Sequence, residues 1–285
     1  MKSNIIYRPL TATPFNHSAA YKEIEPCRML QSYVRCFWTG EYNDFEAEGN
    51  GYPEVVIPDT CVDIIYRVDD TDHTVTADFS GINDRSFYVR SSGETKHKIS
   101  VFAIRFYAWS AYVFSEDSFK GTVNGKYDVR ERFAWLDREV RGRIFEAEDL
   151  TDMIQLIERL LVKKLEASKK NDTVDRAVNH MLLHYGALEI NQLAKESFTC
   201  VRQLERLFQE YIGITPKKLS NMVRYQFLWR DIVSKDHFDI MNAVCQYGYT
   251  DAAHLMREFK RYHSMNIRDA RRMAFPHKIA DAEFV

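Results

Sequence analysis

Short runs of alternating apolar and polar residues fill the first hundred positions of the chain. The segments YVRCFWTG, EVVIP, CVDIIYRV, HTVTADFSG, RSFYVRS and HKISVFAIRF are rich in Val, Ile, Phe and Tyr, and Gly, Pro, Asn and Asp separate them. This alternation predicts half-buried β-strands. Many short strands joined by turns favour an antiparallel sandwich or barrel.

After about residue 106 the apolar spacing becomes helical. AWSAYVF predicts a helical turn and VRERFAWLDREVRGRIF a helix. EDLTDMIQLIERLLVKKLEAS places apolar residues on one helical face, namely Leu150, Met153, Ile154, Ile157, Leu160, Leu161 and Leu165. This face is explained either by packing on the β domain of the same chain or by dimerisation. TVDRAVNHMLLHYG predicts a further helix that stops at Gly186, and the chain beyond it is almost wholly helical.

These patterns predict a two-domain α+β protein. We expect a cupin-like antiparallel β-sandwich or barrel with flanking helices at 1–148, and a helix at 149–168. A linker at 169–172 would lead to an all-α domain with two helix-turn-helix motifs at 173–273 and a tail at 274–285.

Two similar segments support the paired motifs. INQLAKESFTCVRQLERLFQEYIG and IMNAVCQYGYTDAAHLMREFKRYHS each combine a short apolar helix, a tight connection and a second helix, and the pattern L-x-R-x-F at 204–208 recurs at 255–259. This is typical of a helix-turn-helix, whose second helix enters the DNA major groove. Between them, TPKKLSNMVRYQFLWRDIV predicts a helix that starts near Pro216 and spans about 27 Å.

The region from about Asp172 to Arg272 resembles the DNA-binding domain of AraC-type (AraC/XylS) transcription regulators. The matching elements are RQLERLF, GITPKK followed by Arg224, and GYTDAAHLMREFKR. In the N-terminal part, PDTCVDIIYRV and SVFAIRFYAWSAYVF resemble the sensor-like β domains of one branch of that family. The resemblance implies a regulator that binds double-stranded DNA and is not an enzyme. The first residues show no apolar signal core followed by a small-residue cleavage site, so we expect a cytoplasmic protein. A small-molecule effector, RNA polymerase and a second copy of the chain are further partners that the resemblance allows.

Two turns depart from the family pattern. Phe198 and Cys200 stand where a Gly and a capping Ser are usual, so we expect a differently built first turn with Thr199 as the cap. Ser264, Ile267 and Ala270 replace a Gly, a Pro and an aromatic residue, which predicts unusual packing of the last helix. The second motif keeps Gly248.

Carried over residue by residue, the resemblance assigns base-facing positions to Arg202, Glu205, Arg206, Ala252, Ala253, Met256 and Arg257, and phosphate contacts to His254, Lys260 and Arg261. Arg and Glu can hydrogen-bond to base edges, whereas Ala and Met can touch only a thymine methyl group. We therefore expect polar discrimination from the first motif, and fit and charge neutralisation from the second. Arg202 and Glu205 could instead be a surface i,i+3 pair, and Arg257 could pair with an acid inside its domain.

The N-terminal domain offers candidate ligand contacts in its strands. These are Phe37, Trp38, Asp63, Tyr66, Phe102, Arg105 and Trp109. Core packing is the alternative for each aromatic residue, and a structural ion pair is the alternative for Asp63 and Arg105.

Composition excludes several other classes. His17, His73 and His97 form no HxH pair, so neither a cupin-type metal enzyme nor any other metal site is expected, and the chain carries no nucleotide or hydrolase fingerprint that would require a cofactor. Three cysteines before the linker are too few for an Ada-type repair protein, although Cys27, Cys36 and Cys61 leave a redox sensor open. The five cysteines of the chain should be free thiols, most of them buried. No run of 18 apolar residues predicts a membrane span.

Net charge changes the picture little. It is −2 overall, with +2 from Asp172 onward and −4 before it. The weak charge keeps an alternative function open, in which a protein-interaction module kept the fold but lost specific DNA binding.

Overall fold

The computed structural model describes residues 7–13, 21–43, 54–89, 98–145, 150–168 and 170–275. Of the residues discussed above, His17, His97 and the tail beyond residue 275 lie outside the described part of the chain.

Two antiparallel sheets form the N-terminal domain. The described strands are β1 (Ala12–Thr13), β2 (Lys22–Ile24), β3 (Val34–Asn43), β4 (Glu54–Val56), β5 (Cys61–Asp69), β6 (Thr74–Ser80), β7 (Phe87–Val89), β8 (Lys98–Tyr107) and β9 (Lys126–Asp128). One sheet has the order β2-β3-β8-β5-β6-β9 and the other the order β1-β4-β7. All six predicted strand segments are strands, while the short strands β1, β2 and β9 had too few apolar residues to be predicted.

The alternation along the central strands separates a core face from a polar face. Ile64 on β5 lies opposite Ile104 on β8, and both are fully buried. One residue earlier on β5, Asp63 lies opposite Arg105. Because successive side chains of a strand point to opposite faces, this pair lies on the face away from Ile64 and Ile104.

The helices follow in the predicted order. A short 3₁₀ helix (Ala111–Val113) precedes α1 (Arg130–Arg141) and α2 (Leu150–Ala167). Then come α3 (Asp172–Leu183), α4 (Ile190–Glu196), α5 (Val201–Tyr211), α6 (Pro216–Ser234), α7 (Ile240–Gln246), α8 (Ala252–His263) and α9 (Ile267–Ala274). Helix α3 begins one residue before the predicted start, because the Asn171 side chain caps it by accepting from the N–H groups of Thr173 and Val174. The predicted α+β fold class is confirmed.

Helix α2 packs on its own chain. Met153, Ile154, Ile157 and Leu161 of its apolar face are buried. The Lys164 ammonium group also lies over the Trp135 ring of α1. The apolar face of α2 is thus at least partly occupied by its own chain, and dimerisation through it stays a prediction. None of the helices in the described ranges is long and apolar enough to cross a membrane.

The expectation that most cysteines are buried is wrong. Cys36 and Cys61 are buried, whereas Cys27 is partly buried and Cys200 and Cys245 are exposed. Burial raises the pKa of Cys36 to about 12 and that of Cys61 well above its ordinary value. Both groups are therefore neutral thiols, which are poor nucleophiles, and the redox-sensor alternative loses two of its three residues.

Candidate nucleic-acid interface

The two helix-turn-helix units, α4–α5 and α7–α8, share one hydrogen bond in the turn between their helices. The N–H of Thr199 donates to the carbonyl of Ala194, and the N–H of Tyr249 donates to the carbonyl of Val244, each at 3.0 Å. The residue before each donor is left-handed: Phe198 has φ 55° and Gly248 has φ 67°. The first turn therefore keeps this hydrogen bond but differs in length, since residues 197–200 join α4 to α5 whereas residues 247–251, one residue more, join α7 to α8.

Phe198 takes this conformation without help from a cap. Thr199 is not the N-cap of α5; that position belongs to Cys200, whose side chain makes no capping hydrogen bond. In α8 the Asp251 side chain does cap, by accepting from the N–H of His254. Phe198 is 83% exposed as a whole residue, and its ring lies under the Arg176 guanidinium at 5.4 Å. An exposed ring avoids steric conflict there, and the cation–π contact compensates part of the backbone cost.

Helix α5 presents a polar outer face of balanced charge. Leu204, Leu207 and Phe208 are buried against the domain. The predicted base-facing residues Arg202, Glu205 and Arg206 are all exposed, and the Nε of Arg206 donates to Gln203. A molecule that approaches α5 from solvent can therefore contact these side chains.

Helix α8 presents a cationic outer face. Leu255, Phe259 and Tyr262 are buried, as expected from their spacing. The predicted contact residues Ala253, Met256, Arg257, Lys260 and Arg261 are exposed, and the acid of this helix, Glu258, is buried.

Two predicted α8 contacts are less available than the rest. Ala252 is partly buried against the core. His254 turns inward, with its ring 5.4 Å from that of Tyr249 and its Nε2 3.9 Å from a carboxylate oxygen of Glu258.

Helix α6 holds α8 by a buried ion pair. The Arg224 guanidinium donates three hydrogen bonds to the Glu258 carboxylate, at 2.7–3.1 Å. Burial lowers the pKa of Arg224, but the hydrogen bonds and charge of Glu258 outweigh this, and the pKa is raised. The acid-paired arginine is thus Arg224, while Arg257 stays exposed. Sequence reasoning placed Arg224 in the family pattern but gave it no partner.

Helix α6 also carries the contact between the two domains. The amide of Gln226, 2% exposed, accepts from the Leu10 N–H at 2.8 Å and donates to the carbonyls of Leu10 and Pro58. Nothing in the sequence marked Gln226, since a lone glutamine on a helix is ordinary.

A second contact joins the start of α6 to the loop before β7. Lys218 hydrogen-bonds to Asp84, which also accepts from Asn124. Burial raises the pKa of Asp84, but the hydrogen bonds from Lys218 and Asn124 outweigh it, and the pKa is lowered.

Most of the predicted ligand residues are engaged within the β domain. Phe37, Tyr66 and Phe102 are buried, with the rings of Phe37 and Phe102 stacked at 6.2 Å. Arg105 donates to both carboxylate oxygens of Asp63, at 2.9 and 3.3 Å.

Trp38 belongs to the same group, because its Nε1 donates to Asp63 at 2.9 Å. Burial lowers the pKa of Arg105, but the charges of Asp63 and Asp59 outweigh this and hold it well above its ordinary value. Asp63 and Arg105 thus form the structural pair that was one of their two alternatives.

Trp109 instead lines a cleft between the domains. The cleft has a volume of about 610 Å³, and its walls come from the β domain and from α3, including Tyr33, Tyr107, Val178 and Asn179. The Trp109 and Tyr107 rings stack at 5.1 Å. A cleft of this size with aromatic walls can hold a small organic molecule.

Two family models match separate parts of the chain. Residues 193–273 match a family model described as "Helix-turn-helix domain", and residues 22–124 match one described as "Domain of unknown function (DUF6597)". No curated protein sequence matches the chain.

Two of the solved structures that resemble this chain have low sequence identity to it. An AraC-type regulator from Chromobacterium violaceum shares 21% identity, with a TM-score of 0.34, over 38% of this chain and 95% of that one. ToxT from Vibrio cholerae shares 13% identity, with a TM-score of 0.40, over 90% of this chain and 96% of that one. Residues 193–273 of this chain thus form a helix-turn-helix domain, which agrees with the paired motifs expected from the sequence.

Proposed function

We propose that this protein is a transcription regulator that binds specific sites in double-stranded DNA through α5 and α8. The observation that carries the proposal is the exposure of the outward faces of both helices while the N-terminal domain is docked on α6. A docked domain that buried Arg202 or Lys260 would have made groove entry impossible without rearrangement.

The charges of the two helices support different roles. On α5, Arg202, Glu205 and Arg206 offer donors and acceptors for base edges. On α8, Arg257, Lys260 and Arg261 neutralise phosphates, which adds affinity without sequence information. Helix α6 has 19 residues and is therefore about 28 Å long, close to the roughly 34 Å of one DNA turn.

The N-terminal domain is proposed to control DNA binding by α5 and α8 through its interface with α6. The domain limits predicted from the sequence remain part of the proposal, with the regulatory domain at 1–148 and the DNA-binding domain at 173–273. A small-molecule effector is proposed to bind in the cleft beside Trp109, because a molecule there touches both domains. It would shift their arrangement only by binding one arrangement more tightly than the other.

Binding measurements on the full chain test the DNA proposal. Genomic fragments retained by the protein are first sequenced to find its site, and affinity is then measured for that site and a scrambled one at several salt concentrations. Arg202→Ala should reduce the preference for the specific site over the scrambled one by about 1–3 kcal/mol. Lys260→Ala should weaken binding to both sequences equally, and it should lower the magnitude of the slope of the logarithm of the binding constant against the logarithm of the salt concentration by about 1. Equal loss of preference in both variants would contradict the division of roles.

Reporter assays in the host test the effector cleft. Asn179→Trp places a large ring in the cleft from α3, so promoter output should stop responding to growth conditions. Leu183→Trp, at an exposed position of the same helix outside the cleft lining, is the matched control and should respond as the wild type does. An unchanged response of Asn179→Trp would remove the cleft from the mechanism.

The alternative function is a protein-interaction module. The balanced charge of α5 and the non-glycine turn at Phe198 favour it. In that case no genomic fragment would be retained in preference to random DNA, and the weak binding that remained would be lost uniformly with salt.

A further inference from the structure

Three side chains with metal-binding atoms meet where α3 and α4 end. His180 and His184 are one helical turn apart, and the N–H of His184 donates to the carbonyl of His180 at 3.1 Å. Glu196 is the last residue of α4. One ligand atom from each of the three lies within 4.8 Å of the others.

The carboxylate is already oriented toward the imidazoles. One oxygen of Glu196 lies 2.8 Å from Nδ1 of His180, and the other accepts from Nε2 of Gln192 at 2.9 Å. Hydrogen bonding of the non-coordinating oxygen is a common support for metal ligands. Zn²⁺ lies about 2.0–2.2 Å from each of its ligand atoms. Two ligand atoms of one ion are therefore only slightly further apart than His180 Nδ1 and the Glu196 oxygen are here, so small side-chain rotations would make room for the ion.

We propose that His180, His184 and Glu196 bind a divalent transition metal ion, with Zn²⁺ as the best match. Two imidazoles and one carboxylate are a common Zn²⁺ ligand set that leaves a fourth position for water. The exposure of His184 gives an ion access from solvent. The C-terminal end of α3 also favours a cation, because the helix dipole is negative there.

A bound ion would tie α3 to α4, which in turn contacts α5. The site therefore does not include the residues proposed to contact DNA, but it lies on the helices that pack against α5. A bound ion would make the position of α5 more rigid. The histidine pair at i and i+4 was visible in the sequence, but Glu196 lies 12 residues further along and only the fold brings it near.

Metal binding is measured on untagged full-length protein after chelator treatment. Co²⁺ titration should saturate at one equivalent with visible absorption of a low-coordinate site, and Zn²⁺ should displace it. Zn²⁺ at about 100 times its Kd should raise the Tm by several degrees.

Variants separate this site from other metal-binding groups. His184→Ala should weaken Zn²⁺ binding at least about 10-fold, Gln192→Leu should weaken it about 10-fold through loss of the supporting hydrogen bond, and His237→Ala, at an exposed histidine before α7, should change nothing. His184 is exposed, so its removal leaves the fold intact, which circular dichroism checks.

Three results would overturn the proposal. The first is the absence of saturable Zn²⁺ binding, and the second is equal affinity in wild type and His184→Ala. The third is a thiolate charge-transfer band in the Co²⁺ spectrum, which would assign the ion to the exposed Cys200 or Cys245. If Glu196→Gln lowers the Tm while Zn²⁺ leaves the wild type unchanged, the contact is a hydrogen bond between helices and nothing more.

Discussion

At the scale of single residues, burial decides the chemistry of His263 at the end of α8. It is fully buried, its Nδ1 lies 2.7 Å from the Tyr225 hydroxyl, and its ring centre lies 4.5 Å from that of Trp229. Burial lowers its pKa to about 3, because a charged imidazole loses its hydration there. A position near a helix C-terminus would favour the charged form, so desolvation outweighs the dipole.

Acidification should therefore destabilise the domain through His263. The unfolded chain binds a proton below about pH 6.5, whereas the folded chain stays neutral down to about pH 3. The contribution of His263 to stability is thus complete above pH 6.5 and falls as the pH drops toward 3. Between pH 7 and 5 the loss should be about 2 kcal/mol.

Urea unfolding at pH 7 and pH 5 measures this loss. His263→Gln should remove most of the difference between the two pH values, at the cost of lower stability at pH 7. His237→Gln, at an exposed position, should retain the wild-type difference. If His263→Gln retained it as well, another group would be responsible.

At the scale of elements, the turn between α4 and α5 makes its backbone hydrogen bond from Thr199 to Ala194 although Phe198 is strained. Phe198 is left-handed at φ 55°, which costs a non-glycine residue about 1–2 kcal/mol. Its exposed ring recovers part of this through Arg176. Phe198→Gly should then stabilise the domain by about 1 kcal/mol in thermal or urea unfolding.

Phe198→Ala separates the two contributions. Alanine keeps the backbone cost and loses the cation–π contact, so this variant should be no more stable than the wild type. Stabilisation of both variants to the same extent would show that the exposed ring, rather than the backbone, is unfavourable.

Periodicity was sufficient to predict the long strands, because each buries one regular face. The two helix pairs were predicted from the repeated pattern L-x-R-x-F, and α6 from Pro216 at its start. Periodicity failed where the decisive contact is a single long-range one. Asp63 and Arg105 could be placed on strands, but only the register of β5 and β8 showed that they pair.

At the scale of the whole molecule, the Gln226 amide group makes three hydrogen bonds between the two domains. Gln226 lies in the middle of α6, and its side chain satisfies one N–H and two carbonyls of the N-terminal domain. Each of these backbone groups costs about 1–3 kcal/mol if it is buried without a partner. Helix α6 therefore fixes the position of the N-terminal domain and also packs against α5 and α8.

Gln226→Leu should release the N-terminal domain without changing the DNA-contacting residues. Leucine fills a similar volume but leaves the Leu10 and Pro58 groups unpaired, so the docked arrangement loses stability and limited proteolysis between the domains should become faster. If the N-terminal domain controls DNA binding, affinity for the specific DNA site should change by about 5-fold or more, which is a typical coupling between two sites.

Gln155→Leu, at an exposed position of α2, is the matched control and should leave both measurements unchanged. Faster proteolysis with unaltered DNA affinity in Gln226→Leu would mean that the domains are joined but not coupled. The interface would then act only as a structural support, and control by the N-terminal domain would need another route than the Gln226 hydrogen bonds.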